Sequence, residues 1–412
     1  MQIKLTPQEL FQLVSHFEEI PGTILLYSGD AGPSYLSLFP TEVIHVSDST
    51  PWETLERALP KLSGDARPEW IGYLNYEMGA FSDSETRIET PFAPEAYLQK
   101  SGVLLKYDPH TQCGEIWGDV SIEEWEQLAK KGKNKAWKPS GPLQALETKA
   151  SYLDKIRTIQ ENIAAGEVYQ VNLSQAFHVE NFEEPYLFFC RLMELNPVPF
   201  AAYIRLADKV IISASPERLL THRGGVLETN PIKGTAPRGK DQNEDRYLQE
   251  KLLHSEKNRS ELLMIVDLMR NDLGKISTPG TVQTTELFQL RTYPHLHHTH
   301  ATIQGQSLPH LSPVKLLRSC FPGGSISGCP KLSAQQLIFD LEKRARKSYT
   351  GSIGYICGNG DFEWNIAIRT IESSEKQALV QLGGAIVWDS DPEQEYQETL
   401  VKGKTLFEAM GL

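Results

Sequence analysis

The chain has 412 residues, enough for two or three structural units or one large one. Its 41 Lys and Arg stand against 53 Asp and Glu, a net charge of −12, so it lacks the basic footprint that binding to nucleic acid or an anionic membrane requires. With 40% hydrophobic residues it can build a sizeable core, yet no apolar run approaches the roughly 18 residues of a membrane span.

Met1 to Pro7 shows no secretory apolar segment. Thr6 to Ile20 predicts a short capped helix, with Leu10, Leu13, Val14 and Phe17 at helical spacing. Ile24 to Tyr27 and Trp70 to Leu74 predict buried strands. Lys130, Lys131, Lys133, Lys135 and Lys138, followed by Pro139-Ser140-Gly141-Pro142, have the composition of a solvated linker. This divides the chain into an N-terminal region, 1–145, and a larger region, 146–412, expected to be the catalytic domain. The cysteines (Cys113, Cys190, Cys320, Cys329, Cys357) are odd in number, widely spaced and lack a CxxC pair, which points to reduced thiols and a cytoplasmic protein.

In the second region Ser151 to Ala165 predicts a helix stopped by Gly166, and Val168 to Val179 a strand. Ala201 to Ser213 holds two short strands, and Asn243 to Met269 reads as one long helical stretch. Pro330 to Arg346 predicts a helix with proline in its first turn. Ile353 to Ile356, Trp364 to Ile371 and Ala378 to Trp388 read as sheet. Asp391 and Pro392 open a last helix that runs to Met410. Strands in adjacent runs, without strict alternation with helices, favour an α+β fold.

Five groupings could carry chemistry. Asn258 with Glu261, and Glu395 with Glu398, are i,i+3 pairs on two helices; facing each other they suit Mg²⁺, although from spacing alone two solvated helix faces are the better reading. Phe321 to Lys331 is a Gly-rich turn before a helix N-terminus, suited to an anion but without the order of a P-loop. Leu382-Gly383-Gly384-Ala385 is a small-residue turn with Arg369 nearby in sequence, and arginine grips carboxylates bidentately. Glu217 and Lys233 are presented by Pro- and Gly-framed turns; as acid and as base or nucleophile they could act together. His295, His297, His298 and His300 invite a metal reading, but no cysteine or carboxylate joins them at ligand spacing.

Together the blocks Tyr169–Ser174, Ser215–Arg218, Pro231–Thr235, Leu263–Asp272, Phe321–Lys331, Gly351–Tyr355, Ile368–Thr370 and Glu395–Thr399 resemble the chorismate-utilising enzymes, which include anthranilate, aminodeoxychorismate and isochorismate synthases. The resemblance covers about 150–410 strongly and the N-terminal part loosely. It implies the α+β fold of anthranilate synthase component I, two packed β-sheets with helices outside. Gln170 stands where isochorismate-forming members carry a water-activating lysine, and glutamine is no general base. Pro231-Ile232-Lys233-Gly234-Thr235 resembles the pattern of aminodeoxychorismate synthase component I, whereas anthranilate synthases have Ala in place of Lys233.

The resemblance implies chorismate as substrate and Mg²⁺ as cofactor, with Glu261 and Glu398 as ligands and Glu395 holding a metal-bound water. It places Arg369, Tyr355 and the Gly384–Ala385 backbone on the pyruvyl carboxylate, and Ser325, Gln170 and Thr235 in the substrate site. Glu217 would protonate the departing C4 hydroxyl, Lys233 would attack C2, and His298 matches an active-site histidine. Ammonia would come from a separate glutamine amidotransferase subunit. Asn258 replaces a carboxylate usual in the family, which predicts weaker Mg²⁺ binding. A second pocket that binds tryptophan in some members would involve Ser28, Asn196 and Pro197. The alternatives are anthranilate synthase component I and a non-catalytic chorismate-binding subunit.

Overall fold

The computed structural model describes every residue except 84, 134, 136 and 293–295. Among the described residues the strands form one sheet of twelve and one of ten, both antiparallel in their pairings. The sheets face each other. Ile24, Tyr35, Ala202, Ile204 and Ile211 of the first pack against Ile71, Tyr73, Ile353 and Tyr355 of the second in a shared apolar layer. The alternate residues of the first sheet, such as Tyr203, Ile212 and Val380, turn outward under the helices Pro185–Leu195 and Pro392–Met410. The period-2 alternation of side chains thus feeds two cores from one sheet. The helices Lys149–Ala164, Glu256–Ile276, Pro313–Cys320 and Lys331–Glu342 share the largest apolar cluster with the second sheet. The fold is α+β, with two packed sheets and helices outside.

Both sheets cross the sequence boundary near 145. Strand Thr23–Tyr27 pairs with Phe200–Arg205, and Pro68–Leu74 pairs with Ser352–Cys357. Residues 1–145 therefore do not close a core of their own. Nor is the lysine-rich stretch a solvated linker. Lys130 and Lys131 end the helix Ile122–Lys131, and the Lys135 ammonium lies 2.8 Å from Glu18, 2.6 Å from Glu19 and 3.3 Å from Glu184. Trp137 stacks under the Arg191 guanidinium at 4.4 Å. Acidic and aromatic partners distant in sequence hold this segment down.

The stretch expected as one helix over 243–269 is two, Gln242–Leu253 and Glu256–Ile276. Ser255 breaks it by accepting the Asn258 amide on its own hydroxyl, so it caps a new helix instead of continuing the old one. The helix Lys331–Glu342 stops before Arg346 because Lys343 turns left-handed. The last helix is as expected: Asp391 accepts the Gln394 amide at 2.8 Å and Pro392 is its first residue. Among the described residues no helix is long and apolar enough to cross a membrane.

Candidate active site

Lys233 is aimed by a bulge. Its strand, Ile232–Pro237, pairs with Leu296–Gln306, and the register slips between Lys233 and Thr235. Gly234 sits there at φ +74°, a conformation glycine adopts without a Cβ penalty. The Thr299 hydroxyl donates to the Lys233 carbonyl and pins the bulge. A methyl on Gly234 would sit 3.0 Å from the Asn258 amide carbon. Gly234→Ala is therefore expected to shift Lys233 and lower turnover about tenfold or more, because small misplacements of a reacting group are costly. A thermal melt close to wild type beside a turnover assay would check this.

The Lys233 ammonium nitrogen lies 3.9 Å from Glu261 Oε2. Burial pushes its pKa below the usual lysine range; Glu261 opposes the shift, and the Lys402 ammonium adds to it. Glu217 follows the strand Val210–Ser215 and is 4% exposed. Its amide donates to Ser215 Oγ at 3.2 Å, and its carbonyl accepts Ile366 N–H. Burial raises its carboxyl to about 7, against the nearby Ser325 hydroxyl, the Lys233 charge and the Ile232 amide. An amine with a lowered pKa and a carboxyl with a raised one are thus brought together, the arrangement that divides nucleophile from acid near neutrality.

Several buried polar atoms here have no hydrogen-bond partner among the described residues: Glu217 Oε1, Ser325 Oγ, Asn172 Oδ1 and both amide atoms of Gln170. Each such atom costs about 1–3 kcal/mol, a cost that a polar ligand would relieve. Ser325 lies in the short turn Gly324–Ile326. Gln170 begins the strand Gln170–Val179 and pairs with Cys329 at the end of the same Gly-rich segment.

The acidic groups lie around Lys257. Glu395 is buried, 2.8 Å from Ser390 Oγ and 3.5 Å from the Lys257 ammonium, and burial raises its pKa. Glu398 is 50% exposed and paired to Lys402 at 2.7 Å. Although burial would raise its pKa, Lys402 keeps it below the usual range. A Cβ on Gly384 would come 3.5 Å from Lys402 Nζ and 3.6 Å from Glu395 Oε2, so the Gly384–Ala385 strand borders this cluster. Glu261, Glu395 and Glu398 all act on Lys257. Asn258 instead packs over Gly234, beside the lysine loop. Among the described residues no three Asp, Glu, His or Cys side chains stand together as a metal cage. The donor set is nonetheless all-oxygen and suits a hard cation that takes one or two carboxylates and leaves positions for substrate.

His298 Nδ1 lies 3.2 Å from the Gly234 carbonyl and 3.0 Å from Thr235 Oγ1. A carbonyl only accepts, so Nδ1 carries the proton in this arrangement. Burial, with the Arg369 charge nearby, lowers His298 to about 4, leaving a neutral imidazole at physiological pH. His297 bonds Asp245 and Thr292, and His300 bonds the Gln289 carbonyl; His295 lies outside the described residues. Arg369 is held at φ +52°, a costly backbone state for arginine that occurs where the surroundings impose it.

Tyr355 is elsewhere. Its ring faces the apolar layer between the sheets, 5.1 Å from Tyr35, and its hydroxyl donates to Glu363 at 3.3 Å. Odd positions of Ser352–Cys357 face that layer, which sends Tyr355 away from the lysine. The phenol that reaches the glycine strand is Tyr349, whose oxygen lies 2.9 Å from a Cβ built on Gly383. Tyr349 directly precedes the Thr350-Gly351 turn in sequence, and Lys402 follows Glu398 by one helical turn. Both signals were present, and neither tyrosine nor lysine stands out without the fold. Tyr355 lines a cleft with Ser28, Tyr35, Pro199 and Phe200. Asn196 ends the helix Pro185–Leu195 just before Pro197.

A family model described as chorismate binding enzyme matches residues 22–408. Aminodeoxychorismate synthase component 1 of Escherichia coli K12 is 34% identical over 424 aligned positions, covering 94% of this chain and 93% of that one. Its counterpart from Salmonella typhimurium is 44% identical over 255 residues, a match that spans 62% of this chain but 56% of the relative. The crystal structure of anthranilate synthase component I from Streptococcus pneumoniae superposes with a TM-score of 0.80 at 28% identity, covering 93% of each chain.

Proposed function

The chain belongs to the chorismate-binding enzyme family, and we propose that within it the protein is component I of an aminodeoxychorismate synthase. It would convert chorismate and ammonia to 4-amino-4-deoxychorismate, on the route to 4-aminobenzoate and folate. The observation that carries this is the buried Lys233 in the Pro-Ile-Lys-Gly-Thr segment, its pKa lowered, close enough to Glu217, whose pKa is raised, for the two charges to act on each other. The names of its relatives support the same reading.

In this reading neutral Lys233 forms a C–N bond at C2 while Glu217 gives its proton to the C4 hydroxyl, which leaves as water. The ring double bonds shift to link the two positions. Ammonia then forms a C–N bond at C4, and the C2–N bond to Lys233 breaks with the electron pair returning to the lysine. Gln170 can bind but cannot act as a base to activate water. Arg369, with the Gly384–Ala385 backbone, holds a carboxylate of the substrate, and Ser325, Thr235 and neutral His298 orient the ring. Ammonia is supplied by a separate glutamine amidotransferase subunit.

Glu261 and Glu398 would hold Mg²⁺, with Glu395 beside it; the bound ion offsets the negative charge of the substrate in an acidic protein. Glu398→Gln is expected to weaken Mg²⁺ binding at least about tenfold, read by calorimetric titration with MgCl₂ alone. Binding equal to wild type would remove Glu398 from the ligand set.

The functional test is product analysis with chorismate, MgCl₂ and an ammonium salt. Aminodeoxychorismate, identified by mass spectrometry, is the expected product. Anthranilate with pyruvate would move the protein to the alternative branch of the family, and absence of turnover with an amidotransferase present would favour a binding subunit.

A further inference from the structure

Arg346 is 1% exposed and carries no part of the chemistry above. Its guanidinium makes five hydrogen bonds. Two go to the Glu342 carboxylate, at 2.7 and 3.0 Å. One reaches the Ile326 carbonyl, next to Ser325, at 2.9 Å. One reaches the Asn172 carbonyl, on the strand that begins with Gln170, at 2.6 Å. The last meets Thr350 Oγ1, next to Tyr349, at 3.3 Å. The Arg346 main chain extends the set: its carbonyl accepts Gln381 Nε2 from the strand that leads to Gly383 and Gly384, at 2.7 Å. Its amide donates to Glu77 at 2.8 Å, in the turn Tyr76–Phe81. Glu342 in turn accepts both the amide and hydroxyl of Ser174.

We propose that Arg346 is a positioning residue: its one guanidinium ties the Gly-rich turn, the Gln170 strand and the Tyr349 turn into a single cradle for the substrate. These three segments come from distant parts of the sequence, and each places a polar group at the site next to the atom Arg346 holds. Only a planar fork with five donors can hold a carboxylate and three further acceptors at once. Lys233 and Glu217 are not among its partners, so the cradle can loosen without displacing them. Glu77 brings the N-terminal region into the same construction, which gives residues 1–145 a role in shaping the site.

The inference rests on the chorismate reading, and wild-type turnover in the same assay reports on that reading separately. Arg346→Lys keeps the charge and loses the fork. Its KM for chorismate is expected to rise about tenfold or more, with kcat changed less and the pH profile unmoved. Because Arg346 acts through Ser325 and its neighbours, Arg346→Lys and Ser325→Ala combined should lose less kcat/KM than the product of the single losses. A KM within twofold of wild type, or losses that multiply fully, would overturn the proposal while leaving the activity intact. Should Arg346→Lys fail to fold, Thr350→Val deletes one contact of the guanidinium; a raised KM there supports the proposal and an unchanged KM overturns it.

Discussion

Lys233→Ala is expected to lose amination of chorismate by at least about three orders of magnitude, with fold and chorismate binding retained. The size follows from the role. Removing an orienting group leaves the route open, whereas removing the atom that forms the covalent bond closes it. The surroundings are built for that atom: burial disfavours the ammonium more than Glu261 at 3.9 Å, with Glu217 and Glu398, favours it. The bulge at Gly234 gives the amine a fixed direction. Two measurements separate this from a lysine that merely binds substrate. Wild-type protein quenched during turnover should carry added mass on Lys233 without borohydride, because the bond is an amine and not an imine. Lys233→Ala should still quench or shift on chorismate binding. Full activity in the alanine variant would leave the anthranilate alternative standing.

What the sequence made legible is local, and what it hid is long-range. The Asp391 cap and Pro392 start a helix at the expected residue because cap and first turn are adjacent in sequence. The strand Thr23–Tyr27 was visible from its apolar run; its pairing with Phe200–Arg205 was not, because no local period encodes a partner far along the chain. That is why a division at 145 looked natural and why both sheets nevertheless cross it. The lysines near 135 looked solvated because Glu18, Glu19 and Glu184 lie far from them in sequence. At the site, Lys233, Glu217 and the three glutamates were named from motif position. Tyr355 was named from motif position too, and strand alternation sends it into the layer between the sheets. Arg346, with no exposed function and no motif, became visible only through the atoms it touches.

Glu217→Gln is expected to lower kcat about 10²- to 10⁴-fold, the range for removing a general acid, and to change both pH dependences of the protein. In the wild type the working form is the protonated carboxyl. Burial raises Glu217 to about 7, so activity should fall as pH rises through about 7, the alkaline limb of the kcat profile. Glutamine does not titrate, and what turnover remains should lose that limb. The stability effect has the opposite sign to the activity effect. A carboxyl whose folded pKa lies above its ordinary value of about 4.5 favours the folded state fully below that value; the contribution is lost as pH rises through about 7, when a charge must be buried. Above pH 7 the Gln variant should therefore melt higher than wild type, and near pH 4 the two should converge. The Lys233 charge offsets part of the burial cost, so the gain at high pH should grow in Lys233→Ala, where the wild-type carboxyl is pushed higher still. Melting curves from pH 4 to 9 beside the kcat profile test both statements. A variant that loses activity without gaining stability at high pH would mean that Glu217 is ionised in the folded protein, and the proton for the departing hydroxyl would have to come from another group.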